Sequence, residues 1–186
     1  MSDARHPAVF VDRDGVINRK APEPGYITCW EELEVLPGVP QAIARLSGTE
    51  LKVIVVTNQR GVARGLVRRR ELQRMHDNLI ALVRGAGGRI DGIYCCLHDK
   101  GDRCDCRKPA PGLLLQAAQE QRIDLARSWI IGDREHDIVA GQRAGCRATV
   151  RIQTAESETL DAWDNAPDHT VADLAAAVEL ILRSLA

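Results

Sequence analysis

The sequence predicts an α/β fold in one domain, a parallel sheet with helices on both faces. Three observations carry that expectation. Short apolar runs alternate with segments of helical periodicity, as in β-α units rather than hairpins. The run Leu51 to Val56 is almost continuously apolar and β-branched, as suits a strand buried on both faces. Near the C-terminus, Val171, Leu174, Val178, Ile181 and Leu185 form a helical stripe fit to dock on a sheet.

The elements follow in order. Ala8 to Val11 reads as the first strand and ends at Asp12. A helix from Val39 to Leu46 follows the Pro37-Gly38 punctuation, and Leu51 to Val56 is the second strand. The next helix spans Arg68 to Arg84 and stops at Gly85 and the Gly87-Gly88 pair. Ile90 to Cys95 reads as the third strand, and a cysteine-rich loop leads to a helix opening near Pro111, where proline suits the first turn. Ser128 to Ile131 is the fourth strand, a helix runs to Ala144, and Arg147 to Ile152 is the fifth strand. Ala155 to Asp168 is a polar loop before the last helix. No repeat or linker interrupts the 186 residues, which suit one core.

Composition excludes several classes. The chain is 45% hydrophobic and 27% charged with a net charge of −1, so neither nucleic acid nor a membrane is the expected partner. No run is long and apolar enough for a membrane span, and Met1 to Pro7 lacks a secretory signal's apolar core. A cytoplasmic, reducing location is expected, and the six cysteines need an explanation other than disulfides. Arg68-Arg69-Arg70 reads as a solvated helix face. His6, His76, His136 and His169 share no ligand spacing and read as exposed.

Asp12-Arg13-Asp14-Gly15 follows the first strand directly. In extended chain, residues two apart project to one side, so both carboxylates can face one site. Thr57 closes the second strand and Asp133 follows the fourth, while Lys108 arrives from a loop entering a helix. Open α/β sheets bind ligands outside the carboxyl ends of their strands. A nucleophile, a cation and donors for the charged oxygens thus converge, as phosphoryl transfer requires.

Asp12-x-Asp14-Gly15, Thr57-Asn58, Lys108-Pro109 and Gly132-Asp133-x-x-x-Asp137 resemble, in order, the four motifs of the haloacid dehalogenase (HAD) superfamily, over roughly residues 8 to 152. The resemblance implies a Rossmann-like, HAD-like fold and a phosphatase that works through an aspartyl-phosphate. In that reading Asp12 attacks phosphorus, and Asp14 protonates the leaving group and later activates water. Mg²⁺ is held by the Asp12 carboxylate, the Asp14 backbone carbonyl and Asp133. Thr57 and Lys108 hold the transferring oxygens. Asp137 is either a supporting carboxylate or an exposed helix residue.

Cys96-x-His98 and Cys104-x-Cys106 have the spacing of a closed, structural Zn²⁺ site within a loop over 95–108. Cys106 stands two residues before Lys108, so ordering the loop on zinc would also order Arg107 and Lys108. Cys95, beside a ligand, falls on the strand and stays outside the set, and Cys29 and Cys146 read as ordinary small residues. With Asp12 to Asn18, Gly25-Tyr26, Thr57-Asn58-Gln59 and Gly61 to Gly65, this loop resembles the D-glycero-D-manno-heptose 1,7-bisphosphate 7-phosphatase family, and similarly the histidinol-phosphate phosphatases. The implied partner is a small phosphorylated sugar met by a monomer, and DNA 3′-phosphatases are a remoter alternative. The intervals between motifs leave no room for a cap domain, so loops 18–26, 58–65 and 99–108 must select substrate. Gly25, Tyr26, Asn58, Gln59, Arg60, Arg107 and Arg134 are the expected substrate contacts, with Arg64 nearby. Arg60 stands where serine is common in the family and Arg134 where lysine is, and the loop from Asn18 to Gly25 is longer than the family's.

Overall fold

A computed structural model of the chain describes residues 5–22, 24–153 and 163–185. Six strands lie parallel in one sheet, and their order is β3-β2-β1-β4-β5-β6. The strands are β1 (Ala8–Val11), β2 (Lys52–Asn58), β3 (Gly92–Cys96), β4 (Trp129–Gly132), β5 (Ala148–Ile152) and β6 (His169–Val171). The helices are α1 (Val39–Ser47), a short α2 (Arg60–Ala63), α3 (Arg69–Gly85), α4 (Gly112–Gln121), α5 (Glu135–Ala144) and α6 (Leu174–Leu185).

Period-two alternation divides the core. Val9, Val11, Val53, Val55, Ile131 and Val150 pack on one face, in a cluster with residues of α1, α3 and α6. Ala8, Phe10, Ile54, Val56 and Ile130 point the other way, toward α4 and α5. A third cluster, with Ile27, Leu33, Val67, Leu72 and Met75, anchors the loops after β1 and β2 against α3. Strand order reverses between β1 and β4, which opens a crevice at their carboxyl ends.

Each expected element is present, with shifts of one or two residues at its ends. The difference lies near the C-terminus. Val171 belongs to β6, which pairs with β5, and not to the last helix. Asp168 accepts hydrogen bonds from the Thr149 backbone and hydroxyl, both at 2.8 Å, and this clasp seats β6 on the sheet edge. A three-residue strand has too few residues to show alternation, so the sequence pattern merged it with the helix. Of the polar loop expected over 155–168, residues 155–162 lie outside the described part.

The docking stripe of α6 is Leu174, Ala177, Val178 and Ile181. Ile181 is fully buried, whereas Leu185 is 42% exposed and lies past the docked surface. Ile181→Ala should therefore lower the free energy of unfolding by about 2–5 kcal/mol. Leu185→Ala should change it by roughly 0.5 kcal/mol or less. Urea titration of both variants checks the difference.

Candidate active site and metal centres

The site starts from the end of β1. Asp12 continues the Ala8–Phe10 parity and so turns toward the α4–α5 side, where it is buried. Its backbone N–H donates to Ile131 at 2.9 Å, tying the β1 exit to β4. Lys108, 3% exposed, meets Asp12 from the loop before α4. Its Nζ lies 2.7 Å from Asp12 Oδ1, 2.6 Å from Asp137 Oδ1 and 2.8 Å from the Val56 carbonyl. Burial by itself lowers the pKa of this ammonium, but Asp12 and Asp137 outweigh burial and hold it above its usual value.

Asp137 is wholly buried, which settles its two sequence readings in favour of a supporting carboxylate. It also accepts the Arg134 backbone N–H at 3.2 Å, capping the first turn of α5. Gly132 leaves the room: a Cβ there would lie 2.2 Å from that of Asp137.

A divalent cation fits the carboxylates. One oxygen each from Asp12, Asp133 and Asp137 lie within 4.8 Å of one another, and Asp133 Oδ1 is buried without a hydrogen-bond partner. Burial, with Asp137 and Asp133 close by, pushes Asp12 up to about 7 against the pull of Lys108. Burial also raises Asp133, opposed by Lys20, whose ammonium pairs with the other Asp133 oxygen. A cation is already drawn to this carboxylate, and hard oxygen donors in this number suit Mg²⁺. Gly15, with φ near +100°, brings the chain so close to Asp133 that a Cβ would sit 2.5 Å from its Oδ2.

Asp14 lines the same cleft. Arg13 Nη2 donates to its two oxygens at 2.9 and 3.0 Å, Asn18 donates at 2.9 Å and Gln59 at 2.8 Å. Burial raises its pKa, but Arg13, Asn18 and Gln59 outweigh that and hold it below the usual carboxylate value. Asp14 therefore rests ionised.

The remaining expected residues line one cleft of about 950 Å³: Gly25, Tyr26, Thr57, Asn58, Gln59, Arg60, Arg64, Arg107 and Arg134. Several of their side chains serve the protein first. Asn58 brackets Lys108, donating to its carbonyl at 3.2 Å and accepting its N–H at 3.1 Å. Gln59 bridges Asp14 and Thr57 Oγ1, each at 2.8 Å. Arg60 and Arg64 share Asp99 of the cysteine loop, at 2.6 and 3.1 Å. The sequence had not singled out Lys20, Asp99, Asn18 or His76 as site residues. His76 is a correction: it is 6% exposed, behind Arg13, not a surface residue. Its signal was available, since it falls four after Leu72 and three before Leu79 on the buried stripe of α3.

Cys96, His98, Cys104 and Cys106 converge at the rim. His98 Nδ1 lies 3.6 Å from Cys96 Sγ and 3.2 Å from Cys106 Sγ, and Cys96 Sγ lies 3.8 Å from Cys104 Sγ. A tetrahedron with Zn–S of ~2.3 Å and Zn–N of ~2.0 Å has edges of roughly 3.5–3.8 Å, so the donor set fits zinc. Burial and the other two thiols push Cys106 up to about 12, so three thiolates here call for a metal's charge. Arg107 Nη1 donates to the His98 carbonyl at 3.2 Å, so the residue before Lys108 is itself held by the loop.

Comparison with known proteins agrees with this geometry. A family model described as HAD-hydrolase-like matches residues 105–177. A D-glycero-β-D-manno-heptose-1,7-bisphosphate 7-phosphatase of Bordetella bronchiseptica is 37% identical over 177 residues, 94% of this chain and 97% of its own. The chain belongs to this phosphatase family. The Pseudomonas putida member is 41% identical over 81% of this chain and 84% of its own. The B. bronchiseptica D,D-heptose 1,7-bisphosphate phosphatase, solved with magnesium and phosphate, superposes with a TM-score of 0.87 at 34% identity, covering 96% of this chain and 99% of its own. A Burkholderia thailandensis counterpart gives 0.68 at 29% identity, covering 95% and 98%. This chain is thus a phosphoric monoester hydrolase of the HAD superfamily. Among the described residues, no helix is long and apolar enough to cross a membrane.

Freshly purified protein should carry one zinc per chain that resists brief chelation, whereas EDTA should remove Mg²⁺ quickly and reversibly. Cys104→Ser should lower the zinc content and the activity together. Lys108→Ala should lose activity and keep its zinc. Elemental analysis beside a phosphate-release assay checks this, and full activity in zinc-depleted Cys104→Ser would break the link between loop and site.

Proposed function

We propose that this family member hydrolyses the 7-phosphate of D-glycero-β-D-manno-heptose 1,7-bisphosphate, giving heptose 1-phosphate and phosphate through an aspartyl-phosphate on Asp12. The reading rests on one observation above all. A buried carboxylate, Asp12, is paired with a buried ammonium, Lys108, in the lining of a cleft that also holds several guanidinium groups. That the named relatives act on the β-anomer favours that anomer.

In this mechanism Asp12 Oδ attacks phosphorus while Lys108 and Thr57 hold the phosphoryl oxygens. The bond to the sugar oxygen breaks, and that oxygen takes a proton from Asp14. Asp14, left as a carboxylate, then takes a proton from the water that attacks the phosphorus and frees Asp12. Its position among Arg13, Asn18 and Gln59 supports the second, basic role directly. In the first role Asp14 keeps Oδ1 on Arg13 and gives up a proton carried on Oδ2. Asp12, Asp133 and the Asp14 carbonyl would hold Mg²⁺, which neutralises charge on the phosphoryl group. Arg107, Arg134 and the Arg60–Asp99–Arg64 cluster suit a second phosphate, which guanidinium forks bind well.

Phosphate release should be fastest with the β-bisphosphate, in a panel that includes the α-anomer, histidinol phosphate and a 3′-phosphorylated oligonucleotide. A preference for histidinol phosphate would replace the sugar reading. Asp12→Asn should fold normally and lose turnover, and substantial activity in the purified variant would remove Asp12 as nucleophile.

Asp14→Asn should cost about 10²–10⁴-fold in kcat/KM on the sugar phosphate, whose alkoxide needs a proton. On p-nitrophenyl phosphate, whose leaving group needs none, the loss should be smaller. Equal losses would argue against Asp14 as the acid.

A further inference from the structure

We propose that His76 is a positioning residue for the proton-transfer carboxylate Asp14, acting through the guanidinium of Arg13. This rests on the reading of Asp14 given above.

Strand parity starts the argument. Asp12 follows Ala8 and Phe10 toward α4 and α5, so Arg13 follows Val9 and Val11 toward the opposite face, where α3 lies. Arg13 is 1% exposed, and a guanidinium stays charged even when buried. It therefore needs its donors matched. Nε reaches Asp14 Oδ1 at 3.2 Å, and Nη2 holds both Asp14 oxygens. Nη1 faces His76 Nε2 at 3.5 Å.

Arginine only donates, so Nε2 is the acceptor and the ring proton belongs on Nδ1. Burial, then Arg13, depress the His76 pKa to about 4 against Asp14 and Asp77, which keeps the acceptor in place near neutral pH. Cys95 Sγ approaches the same nitrogen at 4.0 Å. The other buried residues of this helix are Leu72, Met75, Leu79 and Val83. An apolar side chain would fill the position equally well. What the imidazole adds is an acceptor that fixes one arm of the Arg13 fork while the other arms hold Asp14.

The test compares kcat/KM, which reports the first phosphoryl transfer, on heptose bisphosphate and on p-nitrophenyl phosphate. It uses the full chain with Mg²⁺ and zinc bound. His76→Leu should lose roughly 10- to 100-fold on the sugar phosphate, the scale of a misplaced catalytic group. On the aryl phosphate it should lose about 3-fold or less, because that leaving group needs no proton. His76→Gln, which restores an acceptor, should recover most of the sugar activity. His76→Met serves as the apolar variant if the leucine variant does not fold. Equal losses on both substrates, or a glutamine variant no better than the apolar one at equal Tm, would overturn the role of His76. Asp14→Asn runs in parallel: if it too lacks leaving-group selectivity, the acid assignment falls and takes this proposal with it. If Asp14→Asn is selective and the apolar variant is not, only His76 is overturned.

Discussion

The ammonium of Lys108, buried between Asp12 and Asp137, is the interaction on which the site depends. A charge so enclosed persists only if its partners are near and its backbone cannot drift. Asp12 comes from the end of β1, Asp137 from the first turn of α5 and the Val56 carbonyl from β2, so one ammonium binds three elements. Asn58 then grips Lys108 by its own peptide groups. Asp12 and the ammonium beside it are thereby held before any substrate arrives, the kind of preorganisation that favours a developing anionic transition state.

The cysteine loop extends this constraint outward. Through Cys106 and Arg107 it leads directly to Lys108, and through Asp99 it reaches Arg60 and Arg64 on the turn after β2. Four ligands closed on one metal would make this irregular segment as rigid as the sheet it leaves. A loop stabilised in that way can hold cleft-lining arginines without a cap domain. Isolated surface ion pairs of this kind contribute little to stability, so the Arg60–Asp99–Arg64 cluster is better understood as geometry than as stabilisation.

Much of this was legible in the residues. Continuous apolar strands separated by helical periods imply the parallel sheet, because a strand covered on both faces has no polar side to show. Asp12, Thr57, Lys108 and Asp133 could be placed at one edge because each stands at a strand exit or just before a helix. The cysteine and histidine spacing reported a metal site, because tetrahedral ligation by a short loop tolerates few spacings. β6 escaped notice because three residues are too few for a period to register. His76 reads as exposed in the sequence alone because a lone polar residue on an apolar stripe does not announce its partner.

The sequence by itself determined the class of fold, the charged groups that meet at the sheet edge and two clusters of candidate metal ligands, all properties of local pattern and residue type. Tertiary structure decided how those groups are shared out. It committed Asn58 to Lys108, Gln59 to Asp14 and Thr57, and Arg60 and Arg64 to Asp99, and it buried Asp137 and His76. Apart from Gln59 and Thr57, these pairs lie 35 to 50 positions apart in the chain. Their distances follow from how the helices pack on the sheet, and a one-dimensional pattern carries no term for that.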